Sequence, residues 1–518
     1  MSELKRTGYQ NFGSFFTESV EVLISKAVSK DYTPPLKPFQ THDILAGLCD
    51  SQPLGKGARE LFLIDFTKWT FLNHGAFGGV CKPAHVEATR WRLHCETQPL
   101  TFLDRELFPQ LVRVIKELGS FINASPKDLV FLPNATTGLN TVIKSCDLGP
   151  CDVMYMLDIG YGSVKKMAQA SALYSTHSSP ADVEELPTSS TPQVVMGHVD
   201  FPISGPDQII EIVAQTMPQN TKLAVFDAVT SNTALVLPMK QLVELCKSRG
   251  IPVLIDAAHA PGQLPVDLHE LNADYYVANC HKWLACPRGS AFMWVHPDRQ
   301  SKIRPLVISH GSGCGFTSDF IWDGCRDYAP FLGVSSALGM WQALGFDRCR
   351  TYCQNLLRDA VDLLTTAWRS RTLAPPEMCA NMALIALPEK LAEAAEQYIL
   401  RASSLHSDNA VSGSASDHAL HLQEVSGDGV EDVARDGVED KTRDGVKDVT
   451  SRQIPWTGAA TSTDAKLVQD ILHHRFCIEC PVKCIQGILY VRVSVQIYNE
   501  MGDYQKLGKA IKEVLRAL

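Results

Sequence analysis

Short apolar runs that stop abruptly at charged or polar residues mark the middle of this chain. Val253-Leu254-Ile255 ends in Asp256, Leu223-Ala224-Val225-Phe226 ends in Asp227, and Tyr275-Tyr276-Val277-Ala278 ends in Asn279-Cys280-His281-Lys282. Apolar runs this short, without alternation, read as strands buried on both faces. Further strands are predicted at 128–132, 153–157, 193–201 and 290–295. Between them the apolar spacing becomes helical: over 83–122 with breaks near Pro99 and Pro109, from Thr136 or Thr137, over 163–172, and from Pro238 to a stop at Gly250. This strand-helix-strand spacing, repeated from 128 to 295, predicts an α/β domain with a mainly parallel sheet. In such sheets ligands sit where the C-terminal strand ends open into a crevice.

The flanks read differently. Residues 1–60 carry weak periodicity and look like an extension, and Leu61–Phe66 is strand-like. The large domain is expected over 61–330. A helical run over 334–367 leads into a smaller α+β domain, formed by 331–401 and 454–518. Its last strand, 487–498, places Arg492, Ser494 and Gln496 on one face and the valines on the other. That polar face is either a solvated sheet surface or a carboxylate clamp. Between the two parts, 402–453 repeats Asp-Gly-Val-(Glu/Lys)-Asp every eight residues, at 428–432, 436–440 and 444–448. With few large apolar groups, this acidic tract is expected to be a disordered insertion.

Composition narrows the class. A formal charge of −9 over 518 residues argues against nucleic acid and anionic membranes as partners. No apolar run approaches the ~18–20 residues of a spanning helix. Glu3, Glu18 and Glu21 in the opening stretch count against a targeting peptide, which leaves a cytoplasmic location as the expectation. The sixteen cysteines are scattered. Cys477, Cys480 and Cys484, with His473 or His474, have the residue types of a zinc site but no second Cys-x-x-Cys, so no metal is expected.

The strand ends carry the candidate chemistry. A lysine that loses its proton forms a Schiff base with an aldehyde. An acid facing a pyridine nitrogen keeps that ring protonated and makes it an electron sink. A helix start with free N–H groups holds a phosphate, an aromatic stacks on the ring, and an arginine takes a substrate carboxylate in bidentate fashion. Lys282, Asp256, Thr136 and Thr137, Tyr161 and Arg492 supply each of these, and together they make a pyridoxal 5′-phosphate site. Taken singly, each has a plain structural reading: a surface lysine, a helix cap, a core aromatic.

DAAHAPG (256–262) and NCHKW (279–283), with LNHGAFGG, NATTGLN, YGSVKKM, DAVTSNTALVLP, WDGCRD and YVRVSVQIYN, resemble the class V aminotransferase superfamily. Within it they are most similar to isopenicillin N epimerase-like proteins and ergothioneine-pathway C–S lyases. The resemblance covers about 60–400 and 454–515. It implies fold-type I: a large domain with a mainly parallel seven-stranded sheet, a small C-terminal domain, and a homodimer with active sites at the interface. It implies Lys282 as the Schiff-base lysine, Asp256 against the ring nitrogen and His259 beside the phenolic oxygen. Thr136, Thr137, Asn279 and His281 would hold the phosphate, and Tyr161 would stack on the ring. Arg492, with Asn73 and His74, would bind an amino-acid substrate. Two positions depart from relatives: Cys325 stands where a Thr is usual, and Ala76 where a Ser is usual. The implied reaction occurs at Cα, with C–S lysis of a cysteine-derived substrate preferred. Epimerisation, transamination and desulfuration, for which Cys484 is the candidate thiol, remain alternatives, as does a binding protein that has lost activity.

Overall fold

The computed structural model describes residues 19–41, 43–174, 192–410 and 459–518. A two-residue strand β1 (Thr70–Phe71) precedes the main strands. These are β2 (Leu129–Leu132), β3 (Val153–Leu157), β4 (Gln193–Gly197), β5 (Thr221–Asp227), β6 (Val253–Asp256), β7 (Tyr275–Asn279) and β8 (Ala291–Val295). They form one seven-stranded sheet in the order β2-β8-β7-β6-β5-β3-β4. All neighbours are parallel except β8, which runs antiparallel to β2 and β7. This is the α/β, fold-type I architecture expected from the sequence.

The continuous apolar runs have a direct cause. Alternate residues of one strand enter two different cores: Phe226, Ile255, Ala278 and Phe292 pack on one face, Val225, Leu254, Val277 and Met293 on the other. Each fully buried side chain of this size contributes roughly 1.5–3 kcal/mol, so no strand can slip by one residue without exposing both sets. The register places Asp227 beside Asp256 at the ends of β5 and β6, with Asn279 ending β7.

The small domain is an antiparallel sheet of β9 (Met382–Ala386), β11 (Val482–Ile485) and β12 (Ile488–Ser494), with β12 in the middle. The short β10 (Ile478–Glu479) pairs in parallel with β1 and ties this domain to the start of the large one. Helices Phe346–Trp368, Ser462–Phe476 and Met501–Leu515 cover it.

Several expectations are corrected. Leu61–Phe66 is not a strand; a 3-10 turn ends at Leu61 and pairing begins at Thr70. The run over 334–367 is two helices, Val334–Leu344 and Phe346–Trp368, because Gly345 takes φ +79° and turns the chain. Pro109 lies inside the first turn of Leu107–Phe121, where its missing N–H is not needed; the irregular turn sits earlier, at Phe102–Glu106. The strand expected at 487–498 ends at Ser494. Its polar face is not solvated: Arg492, Ser494 and Gln496 are all buried. They face the segment after β1, where the Ser494 amide donates to the Leu72 carbonyl at 3.0 Å. The helix Val20–Val28 buries Val20, Ile24 and Ala27 in the main core. The helix Leu391–Ala410 continues past the expected boundary at 402, and the Asp-Gly-Val repeats lie outside the described residues.

One loop approaches another too closely for a side chain. Gly78 takes φ +69°, and a Cβ there would collide with the His281 carbonyl oxygen and lie 2.9 Å from Lys282 Cα. Gly78→Ala is therefore expected to cost at least ~2 kcal/mol of stability, from left-handed strain plus overpacking. Denaturant unfolding checks this; an unchanged midpoint would show that the two loops are not in contact.

Candidate active site

Lys282 leaves the end of β7 and turns into the protein rather than into solvent. Its Nζ lies 2.9 Å from His259 Nε2. On the far side of that ring the Trp283 indole N–H donates to His259 Nδ1 at 3.3 Å. An indole nitrogen only donates, so Nδ1 must be the unprotonated nitrogen. Burial holds the His259 pKa well below its ordinary value, and the Lys282 charge adds to the effect. The ring is thus neutral, with its proton on Nε2 and aimed at Lys282. Such a donor suits an amine with a free lone pair, not an ammonium. Burial likewise brings Lys282 down to about 8, reinforced by Arg492 and opposed by Asp256 and Asp227. Indole, imidazole and amine therefore favour the same neutral lysine.

Asp256 and Asp227 are both buried. Desolvation raises the pKa of Asp256, while the Ala258 amide, donating to its Oδ1 at 3.0 Å, and the Lys282 charge oppose the rise. Asp227 is raised further, by burial and then by the charge of Asp256 beside it. Two like charges at neighbouring strand ends cannot both ionise cheaply, so the pair favours a single shared charge, with Asp227 raised the more of the two. The turn after β3 passes directly over this pair. A Cβ on Gly160 would lie 3.2 Å from Asp227 Oδ2, and the next residue, Tyr161, is 42% exposed and lines the same cavity.

The cavity's other end is the start of the helix Ala135–Lys144. The expected hydroxyl cap is replaced: Asn134 is the cap, its Oδ1 accepting from the Thr137 amide at 2.9 Å and from the Thr137 hydroxyl at 3.1 Å. Asn279 Oδ1 accepts from the Ala135 amide at 2.9 Å, which fixes the helix start against the end of β7. Thr136 lines the cavity, whereas Thr137 is engaged with Asn134 and does not. His281 lines it too, with Nδ1 at 3.0 Å from the Ser290 carbonyl and its pKa lowered by burial.

Arg492 reaches the region from β12. Its Nη1 donates to the Ser231 carbonyl and its Nη2 to Asn73 Oδ1 at 3.1 Å, and Ser231 lines the cavity. Its Nε has no hydrogen-bond partner although buried. Among the described residues no carboxylate pairs with this guanidinium, and burial lowers its pKa to about 10. An unpaired buried charge of this kind is costly, and an incoming anion would relieve it. Asn73 spends both ends of its amide on Arg492 and on Glu479. His74 does not line the cavity. It is fully buried, held at 2.8 Å from the Tyr498 hydroxyl and 3.0 Å from the Lys282 carbonyl, with its pKa pushed down to about 4 by burial.

The structure thus brings Lys282, Asp256, His259, Thr136, Tyr161, Asn279 and His281 to one cavity of about 180 Å³, with Arg492 at its Ser231 side. These donors fit a flat, phosphorylated pyridine aldehyde: an amine, an acid opposite it, a helix start for the anion and an aromatic above. Sequence reasoning left Asp227, Asn134, Trp283 and Ser231 without a role. Only Asp227 had a signal, a strand end like that of Asp256. Of the cysteines weighed as zinc ligands, Cys480 Sγ donates to the Arg492 carbonyl and Cys484 Sγ to that of Ala460.

Comparison with known proteins agrees with this geometry. Residues 108–402 match the family model described as aminotransferase class-V. A probable chloroplastic L-cysteine desulfhydrase of Arabidopsis thaliana is 30% identical over 354 residues, 64% of this chain and 70% of that protein. An isopenicillin N epimerase of Streptomyces clavuligerus is 28% identical over 353 residues, 64% of this chain and 84% of that one. A solved cystine C–S lyase, C-DES, bound to its product cysteine persulfide, has the same fold at a TM-score of 0.62 and 16% identity, covering 86% of this chain and 97% of that one. With a family match that spans more than half of its length, this chain is an enzyme of the aminotransferase class-V family.

Proposed function

We propose that this enzyme binds pyridoxal 5′-phosphate in the cavity at the ends of β5, β6 and β7 and cleaves the C–S bond of a small cysteine-derived amino acid. The observation that carries the reading is a desolvated lysine amine and a buried carboxylate on adjacent strand ends of one cavity. The cofactor supplies an aldehyde that condenses with an amine and an electron sink for negative charge at an amino acid's Cα. Lys282 provides the neutral amine and then takes the α-proton on Nζ. Asp256 would hold the proton of the ring nitrogen, with Asp227 beside it. His259 would present its Nε2 proton to the ring's phenolic oxygen. Thr136 would receive the phosphate through its hydroxyl and its own amide, the neighbouring amides of Ala135 and Thr137 being given to Asn279 and Asn134. His281 joins Thr136 through Nε2 as the imidazolium, a state the phosphate charge itself favours. Tyr161 covers the ring, and Arg492 takes the substrate carboxylate.

With cysteine as substrate, loss of the α-proton followed by departure of the thiolate from Cβ, and uptake of one water, gives pyruvate, ammonia and sulfide. The L-cysteine desulfhydrase relative supports this outcome. Desulfuration is disfavoured: among the described residues no cysteine lines the cavity, and Cys484 donates to the Ala460 carbonyl with its pKa raised by burial. The isopenicillin N epimerase relative supports a second reading, in which the proton returns to the opposite face of Cα.

A homodimer completes the proposal. Phe77, 74% exposed, sits at the cavity, and Val307 and Ile308 are exposed in a loop of the same chain. Sedimentation showing a monomer at micromolar concentration would remove this part. The cysteines are scattered through the fold, many of them buried, rather than arranged as a disulfide framework, which supports a reducing, cytoplasmic setting.

Incubation of the cofactor-loaded enzyme with L-cysteine is expected to release sulfide and pyruvate in equal amounts. Stereochemical inversion without sulfide would favour the epimerase. Lys282→Ala should lose the visible absorbance of the loaded protein and at least ~10³-fold of the rate. A coloured, active variant would refute the assignment.

The lysine makes a second test available. Cofactor uptake by the apoprotein requires the unprotonated amine, so its rate should rise with pH and level off above about 8. Trp283→Phe frees His259 to adopt the other tautomer and should move the plateau upward. A wild-type plateau near the ordinary lysine value would contradict the neutral-amine geometry.

A further inference from the structure

Besides Ser231, the guanidinium of Arg492 is aimed by residues that do not line the cavity. Asn73 accepts from Arg492 Nη2 at 3.1 Å through Oδ1, and its Nδ2 donates to Glu479 Oε1 at 3.0 Å. The second carboxylate oxygen, Oε2, lies 2.9 Å from His473 Nδ1. The His473 ring is itself placed against Trp69, with centroids 4.6 Å apart. The backbone fixes the same register, because β1 and β10 pair Phe71 with Glu479 and the Leu72 amide donates to the Glu479 carbonyl at 2.9 Å.

An asparagine amide has a donor end and an acceptor end, and either can face a given neighbour. A guanidinium only donates, so Asn73 must present oxygen to Arg492. An ionised glutamate only accepts, so it enforces that orientation from the other side. Turning the amide over would set two donors against each other at Arg492 and two acceptors against each other at Glu479. The arrangement also keeps Glu479 from pairing directly with Arg492, whose Nε stays unpartnered and buried. A direct salt bridge would occupy the group that a substrate carboxylate needs.

We infer that Glu479 is a positioning residue for substrate recognition: through Asn73 it orients Arg492 and reserves the guanidinium for the substrate's α-carboxylate. The inference rests on the reading of Arg492 as the carboxylate site. Glu479 touches neither substrate nor cofactor, so its influence falls on binding of the carboxylate and not on proton transfer at Lys282.

Two variants of similar length separate the possibilities. Glu479→Gln keeps an acceptor for Asn73, whereas Glu479→Met removes it. In the cofactor-loaded enzyme Glu479→Met is expected to raise KM for L-cysteine about tenfold or more with kcat within about threefold, and Glu479→Gln to stay near wild type. Asn73→Leu, which cuts the same link elsewhere, should reproduce the KM effect should Glu479→Met fold poorly. A structural role would not distinguish ligands, so calorimetric titration supplies a second readout. Glu479→Met should weaken binding of 3-(methylthio)propionate about tenfold and leave 3-(methylthio)propylamine, which lacks the carboxylate, unchanged. Equal loss for both ligands, or no loss for the acid, would overturn the positioning role. Arg492→Met is the control: should it also spare the acid, the carboxylate site itself is misassigned; should it abolish acid binding while Glu479→Met does not, only the inference about Glu479 falls.

Discussion

Desolvation of the Lys282 amine is the constraint on which the site depends. A lone ammonium taken out of water costs several kcal/mol, and that cost brings the Lys282 pKa down to about 8, so the neutral amine is far more accessible than on a solvated lysine. The Trp283 indole sets the tautomer of His259, and His259 then presents a donor to the lysine lone pair. The same burial that lowers Lys282 raises Asp227 and Asp256, so two acids and one base share a small volume without three full charges. Arg492 is the exception, a buried cation with no carboxylate paired to it among the described residues.

Such a site needs a scaffold that does not yield. The strands that end in Asp227, Asp256 and Asn279 are packed on both faces, so their ends are fixed relative to one another. The segment carrying Lys282 is clamped by close backbone approaches. Gly262, at φ +96°, passes where a Cβ would lie 2.6 Å from the Trp283 carbonyl oxygen, and Gly78 lies against His281 from the opposite side. His74 adds a hydrogen bond to the Lys282 carbonyl and is itself held by Tyr498 and Gln496. The small domain thereby helps to position a residue of the large one.

The geometry constrains chemistry at Cα more tightly than it constrains the product. The amine, the acid and the helix start serve any reaction that begins by removing the α-proton. What narrows the outcome is the surroundings: among the described residues no thiol lines the cavity to accept sulfur. The relatives divide between C–S cleavage and epimerisation.

Much of this was legible in the amino-acid order alone. Apolar runs ending in Asp256, Asp227 and Asn279 specify strands buried on both faces, because only such strands lack alternation, and an alternating strand-helix order specifies a parallel sheet. Local motifs also singled out Lys282, Asp256, His259 and Tyr161, which line one cavity because each lies at or just beyond a strand end. What tertiary structure decided was everything that depends on contacts between distant segments. Arg492 sits on a strand whose polar face could have been solvated, and only packing of β12 against the segment after β1 buries it. His74 reads as a site residue beside Asn73, yet it points into the core. Asn134 rather than a threonine caps the helix Ala135–Lys144, and the His259 tautomer depends on an indole whose direction no periodicity encodes. Sequence pattern records which residues are buried and in what order; which donor meets which acceptor is settled only when segments hundreds of residues apart come together.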